Sequence, residues 1–241
     1  MAPRLRPALL ALALLLAPGP PPARSEEPAP LPAPNALSPD EEAAGFRLLF
    51  DGRSLAGWRG YRKEAAPDDW EVVEGALTRV GGGSDLVTRE AFANFELRLE
   101  WKVEPGGNSG ILYRVSEEER ASYWSGPEMQ VLDDAGHRDG RSRLTAAGAC
   151  YGLYASPAGV VLPAEQWNQV RLLVDGPHVE HWLNGTKVAA YELGSADWEA
   201  RVKDSKFASH EHFGRNRAGL VALQNHGDRV AYRSIRIRVL P

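Results

Sequence analysis

The stretch FELRLEWKV, residues 95–103, decides the fold, because apolar and charged side chains alternate along its whole length. Neighbouring residues of a strand point to opposite faces of the sheet, and residues two apart share a face. One parity is apolar and the other is charged: Phe95, Leu97, Leu99 and Trp101 against Glu96, Arg98 and Glu100. The stretch therefore predicts a half-buried strand of an antiparallel sheet.

The same period of two recurs along most of the chain after Gly45. Asn184-Gly185 is a strong hairpin signal, because both positions of such a turn need positive φ, and Asp175-Gly176 marks a second turn. Only residues 197–206 favour a helix, and weakly. The other predicted strands are 70–78, 110–115, 128–132, 167–174, 178–183, 187–193, 219–224 and 230–239. Many short strands separated by turns predict an all-β sandwich or jelly roll.

The N-terminus has the pattern of a secretory signal peptide, residues 1–23. Arg4 and Arg6 precede an apolar run over 8–17, which is shorter than the roughly 20 residues that a membrane span needs. Residues 24–43 are rich in Pro and Ala and predict an extended linker, and 44–241 predict a single domain. We expect an exported protein, periplasmic or secreted, with no stable membrane insertion after cleavage.

Composition excludes several classes of partner and cofactor. The net charge is −4 and no basic stripe is present, so we do not expect a nucleic-acid partner. No phosphate loop or dinucleotide fingerprint occurs, so no nucleotide cofactor is expected. Cys150 is the only cysteine; it permits no internal disulfide, and its setting among small residues predicts a buried, inert thiol.

Three strands carry polar side chains on one parity and apolar side chains on the other. In GGNSGILYR (106–114), Asn108 and Arg114 share a parity, and in GPEMQVLDD (126–134), Glu128 and Gln130 do. The opposite parity holds Ile111, Tyr113 and Val115 in the first strand, and Met129 and Val131 in the second. The third segment, LQNHG (223–227), places Gln224 and His226 on one parity. These strands predict the floor of a polar, saccharide-binding cleft.

Several ordered blocks resemble one family. LFDGRSLAGW (49–58), GGNSGILYR, GPEMQVLDD, EQWNQVRLLV (165–174) and LQNHG are similar to the 3-keto-disaccharide hydrolases, also described as 3-keto-glycoside lyases and hydratases. The resemblance covers roughly residues 45–240. It implies a concanavalin-A-like jelly-roll sandwich of two antiparallel sheets, with the site on a concave sheet and an oxidised glycoside or disaccharide as substrate.

The chemistry that the resemblance implies begins with a ketone at C3 of the sugar, which acidifies the hydrogen on C2. A base removes that proton, the aglycone leaves from C1, and water adds back, so that the net result is hydrolysis. This route needs a base near C2, a group that stabilises the enolate oxygen and an acid for the leaving oxygen. A divalent metal ion is one possible source of the electrophile.

The candidate catalytic residues are Glu128, His226 and Arg114. Glu128 is expected to act as acid, base or metal ligand, and His226 as a proton-transfer group or metal ligand. Arg114 is expected either to orient a sugar hydroxyl or stabilise an enolate, or to hold Glu128 in an ion pair. The candidate substrate-binding residues are Asn108, Gln130, Gln224, Lys206 and Trp124.

A metal site and two other functions remain as alternatives. Glu128, Asp133 and His137 form a carboxylate and imidazole set suited to one divalent ion, although their spacing matches no strong metal motif. A non-catalytic carbohydrate-binding module with the same fold is the first alternative function. A conventional glycoside hydrolase acting on unoxidised sugars is the second, and it needs two carboxylates flanking one bond.

Overall fold

The alternating side chains build two antiparallel sheets in residues 33–241, the part of the chain that this computed structural model describes. Within those residues, no helix is both long and apolar enough to cross a membrane. The strands are β1 (Arg47–Leu48), β2 (Trp58–Gly60), β3 (Trp70–Val73), β4 (Ala76–Arg79), β5 (Leu86–Thr88), β6 (Phe95–Val103), β7 (Asn108–Val115), β8 (Glu128–Leu132), β9 (Asn168–Asp175), β10 (His178–Leu183), β11 (Thr186–Glu192), β12 (Leu220–Leu223) and β13 (Val230–Val239). The α-helices are α1 (Pro39–Ala43) and α2 (Ala196–Lys203).

The two sheets differ in size and in role. The larger has the strand order β11-β10-β9-β6-β13-β4-β3, with β1 paired to β13. The smaller has the order β2-β5-β12-β7-β8 and carries the predicted polar positions of β7 and β8. Every pairing is antiparallel, which confirms the predicted all-β jelly-roll sandwich of two antiparallel sheets.

One apolar core joins side chains from both sheets. The strand that decides the fold, β6, contributes Phe95, Leu97, Leu99 and Trp101, all of them fully or almost fully buried. The smaller sheet contributes residues of β7 and β8 to the same cluster: Ile111, Tyr113, Met129 and Val131. Burial of one such side chain stabilises the fold by about 1.5–3 kcal/mol, so the apolar parity fixes which face of each strand points inward.

Two turns show where local sequence reasoning succeeds and fails. The hairpin predicted at Asn184-Gly185 is confirmed, with φ of 49° and 78°. The single strand predicted for residues 70–78 is wrong, because Glu74 and Gly75 also have positive φ and turn the chain between β3 and β4. The three-residue strands β2 and β5 are too short to show a period and were not predicted. Helix α2 begins one residue before the predicted helical stretch and ends three residues before its end.

A β-bulge in β7 changes the alternation beyond Leu112. Leu112 pairs with Ala222 and Val115 pairs with Leu220, so Tyr113 and Arg114 together face one residue of β12. Arg114 has a φ of 51°, the left-handed conformation that many bulges require. The prediction that Val115 shares the core face with Tyr113 is therefore wrong: Val115 packs with Leu112 in a small outer cluster.

The end of the predicted linker is part of the folded domain. Residues 1–23 and 24–32 lie outside the described residues, but 33–43 contact the larger sheet, so the linker prediction is wrong for them. Asn35 donates its side-chain amide to Gly75 O (2.8 Å). Ser38 and Glu41 form a capping box at the start of α1. Short polar caps of this kind satisfy the free N–H groups of a helix N-terminus.

Glu41 fixes this segment to the sheet. Its side chain is buried, and its carboxylate accepts from Arg236 Nε (2.6 Å) and Arg98 Nη1 (3.4 Å). Removal of one partner of a buried ion pair leaves the other charge without compensation, which is strongly destabilising.

We therefore expect Glu41→Ala to lower the free energy of unfolding by about 2–3 kcal/mol. Chemical denaturation followed by tryptophan fluorescence measures this change. Glu42→Ala is the matched control, because Glu42 is the next residue of the same helix and is exposed; its effect should stay within about 0.5 kcal/mol. Equal effects of the two substitutions would contradict the anchoring role of Glu41.

Candidate functional site

The carboxyl group of Glu128 lies over the backbone of Gly110, on the outer face of the smaller sheet. Glu128 begins β8 and pairs with Leu112, and Gln130 pairs with Gly110. A Cβ atom at residue 110 would lie 2.8 Å from the Glu128 carboxyl carbon, closer than real Cβ atoms come. A side chain at 110 would therefore displace the Glu128 carboxyl group from its present position, in which Glu128 is only 7% exposed.

Glu128 is a buried acid without a partner. Its carboxyl group makes no hydrogen bond and no ion pair with residues 33–241. Its pKa is raised to about 8: burial is the main cause, the ammonium of Lys206 opposes it, and Asp85 and Asp139 add smaller upward contributions. A carboxyl group with a pKa in this range can both take and give a proton near neutral pH. Perturbed groups of this kind cluster at functional sites.

Lys206 brings a positive charge to the same pocket. It follows α2 in a turn that the buried ring of Phe207 anchors, and its ammonium lies 4.0 Å from the ring centroid of Tyr151. Partial burial lowers the pKa of Lys206, while Glu128 and Asp139 raise it. Lys206 and Glu128 influence each other electrostatically without forming an ion pair.

Tyr151 also lines the pocket and was not predicted. Its backbone N–H donates to Glu128 O (3.1 Å), and its hydroxyl donates to Asp139 Oδ2 (3.2 Å). Burial and the neighbouring carboxylate of Asp139 raise the pKa of Tyr151 to about 12. Tyr151 lies in a loop with no period of two, so the sequence pattern gave no signal for it.

Three predicted amides lie in this pocket. Asn108 and Gln130 are almost fully buried, and their side-chain oxygens have no hydrogen-bond partner in residues 33–241. Gln130 donates its amide to Thr145 O (3.0 Å), and Gln224 is held by its backbone N–H, which donates to Gly110 O (2.9 Å). Buried acceptors normally have a donor, so the two free oxygens are suited to hydroxyl groups of a ligand.

His226 lies at the exposed rim of the pocket, in a loop that its neighbour Asn225 holds. The backbone N–H of Asn225 donates to Asp85 Oδ1 (2.8 Å), and its side-chain amide donates to Asp69 Oδ2 (2.7 Å). Arg79 Nε donates to Asn225 Oδ1 (2.7 Å). These bonds fix the backbone of the residue that precedes His226, while the imidazole ring of His226 remains open to solvent.

The pocket is narrow. Its volume is about 50 Å³, enough for one or two water molecules but not for a sugar ring. A cavity of this size could admit only one edge of a sugar ring towards Glu128. The residues that line it are Asn108, Glu128, Gln130, Tyr151, Lys206, Gln224 and His226.

Arg114 does not belong to this pocket, and its predicted place in the catalytic set is wrong. The bulge turns its side chain towards Ala93 O, which accepts from Nε (3.0 Å) and Nη2 (2.8 Å), and towards Gly176 O. Arg114 forms no ion pair with Glu128. The simple alternation of a strand places residues 108 and 114 on one face, and the extra residue of the bulge breaks that relation.

The predicted metal set of Glu128, Asp133 and His137 does not converge. Asp133 accepts from Gly106 N (2.8 Å) and Ala135 N (3.2 Å), one bond to each carboxylate oxygen, so it holds the loop. His137 Nδ1 accepts from Asp139 N (3.1 Å). Across residues 33–241, no group of three or more His, Cys, Asp or Glu side chains is arranged to hold a metal ion. These residues do not fit the ion predicted for them.

Trp124 lies beside the pocket rather than in it. Its ring stacks on His210, with centroids 4.8 Å apart and planes 19° from parallel. His210 covers one face of Trp124 and is half-buried. Tyr123 is more open and contacts Lys206, whose ammonium is 5.9 Å from its ring centroid. Neither Trp124 nor Tyr123 lines the pocket; the aromatic residue that does is Tyr151.

Known proteins resemble the chain over most of its length. The 3-keto-disaccharide hydrolase of Bacteroides thetaiotaomicron is 32% identical over 231 residues, which cover 83% of this chain and 80% of that protein. A solved structure of a proposed glycosyl hydrolase from Parabacteroides distasonis has 31% identity and a TM-score of 0.82, covering 87% of this chain and all of that one. A second structure from that organism, also of a proposed glycosyl hydrolase, has 25% identity, a TM-score of 0.66 and coverage of 81% and 99%. A model of the 3-keto-alpha-glucoside-1,2-lyase-like domain matches residues 45–238, and the chain belongs to that family.

Proposed function

We propose that the protein is an exported enzyme that cleaves the glycosidic bond of 3-keto-glycosides by elimination of the aglycone followed by hydration. The observation that carries the proposal is the buried, unpartnered carboxyl group of Glu128. The name of the relative from Bacteroides thetaiotaomicron, a 3-keto-disaccharide hydrolase, supports the substrate class. Export rests on the signal-peptide pattern of residues 1–23.

Glu128 is the base that takes the proton from C2. The C–H group next to a ketone is a weak acid, so a base with a higher pKa removes its proton more readily. A carboxylate whose pKa is raised by burial is therefore a better base for this step than an exposed carboxylate. Only the ionised form of Glu128, a minor fraction below about pH 8, acts as the base, and it has no hydrogen bond to break before it accepts the proton. The narrow pocket admits the C2 edge of a ring and keeps bulk water away from the carboxylate.

Lys206 stabilises the enolate that this step produces. Proton loss from C2 moves negative charge onto the C3 oxygen, and a nearby ammonium lowers the energy of that charge most in a site of low dielectric constant. Asn108 and Gln130 orient the sugar, because their free side-chain oxygens accept hydrogen bonds from its hydroxyl groups.

His226 donates the proton that the leaving oxygen needs. As the C3 carbonyl re-forms, the electron pair moves to make the C1–C2 double bond, and the C1–O bond breaks. The imidazole at the exposed rim protonates the departing oxygen and regains a proton from solvent. Water then adds its oxygen to C1 and releases one proton to solvent, which balances the proton that His226 took up, and Glu128 returns its proton to C2. The products are the free 3-keto sugar and the aglycone.

The two alternative functions fit the pocket less well. A non-catalytic carbohydrate-binding module relies on an exposed aromatic platform and gains nothing from burying an unpaired acid, which destabilises the fold. A conventional glycoside hydrolase needs two carboxylates on either side of the scissile bond. Glu128 is the only carboxylate among the described residues that line the pocket.

The direct test compares the 3-keto and the unoxidised form of one aryl glucoside as substrates for the purified protein. We expect aglycone release from the keto form only, because only its C2 hydrogen is acidic. In D₂O the keto form should also exchange its C2 hydrogen. Equal release from the two forms would rule out the elimination route. The same assay with a chelator tests the predicted divalent ion.

Glu128→Gln should lower both aglycone release and C2 exchange by about 100-fold or more, since it removes the base while keeping the side-chain shape. Glu42→Gln is the control for removal of one carboxylate elsewhere. Normal C2 exchange in Glu128→Gln would show that another group is the base.

His226→Ala should affect substrates according to their leaving group. An aglycone that leaves readily as an anion, such as 4-nitrophenolate, needs little protonation, so its release should change by less than about 5-fold. Release of a sugar or alkyl alcohol should fall by about 100-fold. An equal loss for both substrates would contradict the role of His226 as the acid.

Glu128 should also affect the pH dependence of stability. The unfolded chain ionises this carboxyl group near pH 4.5, whereas the folded protein holds its proton up to about pH 8, so folding loses stability as the pH rises between these values. Relative to the wild type, Glu128→Gln should gain about 3 kcal/mol between roughly pH 5 and pH 7.5. Urea denaturation at each pH measures the difference. A gap between the two proteins that is independent of pH would contradict the raised pKa.

A further inference from the structure

A second cavity lies at the other end of β7 and shares no lining residue with the Glu128 pocket. Its volume is about 580 Å³, within the range of small-molecule sites. Its polar lining is cationic or neutral and includes no Asp or Glu of the described residues. The side chains that matter to its chemistry are Arg114, Arg215, Arg217, Asn94 and Asn216.

Arg114 is a buried charge without a counter-ion. It is 6% exposed, and its hydrogen bonds go to neutral oxygens: Ala93 O, Gly176 O (2.7 Å) and the side-chain oxygen of Asn94 (3.3 Å). No carboxylate of residues 33–241 lies within ion-pair distance of its guanidinium, and Nη1 has no hydrogen-bond partner among them. A buried guanidinium normally pairs with an anion, because desolvation of its charge is costly.

The backbone holds Arg114 in this position. Its φ of 51° belongs to the left-handed region, which costs a residue with a side chain about 1 kcal/mol. Asn216 donates its side-chain amide to Arg114 O (2.9 Å), so the loop that carries Arg215 and Arg217 is attached to the bulge. Such strain persists only where the surroundings enforce it, and it often accompanies a binding site.

The two arginines of the loop differ in whether their charge is already paired with a carboxylate. Arg215 forms a two-bond ion pair with Glu199, and its charge is already compensated. Arg217 is exposed and forms no ion pair or hydrogen bond with the described residues. The cavity therefore has two guanidinium groups without a counter-ion, the buried one of Arg114 and the exposed one of Arg217. Both are available to the same ligand.

We propose that this cavity binds a small molecule through an oxyanionic group, a carboxylate, sulfate or phosphate. Arg114 Nη1, the guanidinium nitrogen without a hydrogen-bond partner among the described residues, is the donor that fixes the oxyanion, and Arg217 adds a second charge from the rim. A planar guanidinium is suited to such groups because its N–H bonds match the spacing of their oxygens. Bound anion supplies the counter-charge that the folded chain lacks at Arg114. This site is independent of the proposed cleavage reaction.

Calorimetric titration of the full chain with sodium glucuronate, sulfate, phosphate and neutral glucose tests the proposal and separates the three oxyanions. We expect at least one oxyanion to bind and glucose not to bind. Arg217→Gln should weaken that binding by about 10-fold, the loss of one charge-assisted hydrogen bond. Arg53→Gln is the matched control: Arg53 is exposed, lines neither cavity and should leave the affinity unchanged. Absence of binding by all three oxyanions, or equal affinities in the two variants, would overturn the proposal.

The location is tested with crystals soaked in sodium selenate. We expect an anomalous selenium peak beside Arg114 Nη1 in the wild type and a weaker one in Arg217→Gln. Arg114→Gln should abolish the peak. If that variant does not fold, the comparison of the peak heights in the wild type and in Arg217→Gln tests the assignment. A peak only at other places on the surface would overturn the assignment.

Discussion

The burial of the Glu128 carboxyl group over Gly110 is the constraint on which the rest of the site depends. An unpaired acid leaves water only if the strand beneath it has no side chain at the point of contact, and β7 provides glycine there. Burial then raises the pKa, which makes the group useful for proton transfer near neutral pH and costs stability above about pH 4.5. The capacity for proton transfer near neutral pH and the destabilisation have one physical cause.

Period-two alternation was sufficient to find the longer strands and most of the pocket. It placed Asn108, Glu128, Gln130 and Gln224 on one polar face, because side-chain direction in a regular strand depends only on sequence parity. The same rule located β6 and the apolar core. Each of these predictions needed no knowledge of which strands would become neighbours.

The sequence-based predictions fail where the chain does not follow the regular alternation of side chains along a strand. The bulge at Arg114 is set by pairing with β12, over 100 residues later, and no local pattern reports it. Tyr151 reaches the pocket from a loop beside β8. The carboxylate of Asp133 satisfies backbone N–H groups, so a sequence that looked like a metal set forms a turn. Glu41 belonged to a stretch whose composition predicted a linker, yet specific arginine contacts fold it onto the sheet.

The bulge also explains how one strand serves two cavities. Four residues separate Gly110 from Arg114, roughly 13 Å along an extended chain. At that separation a negative and a positive charge attract by only about 1 kcal/mol for an effective dielectric constant of 20, far less than the cost of burying either charge. The two groups therefore cannot neutralise each other. Glu128 resolves its burial by holding a proton, whereas a guanidinium cannot lose one near neutral pH. Within the described residues Arg114 meets only neutral oxygens, those of Ala93, Asn94 and Gly176. For this reason we assign its counter-charge to an anion from outside the chain.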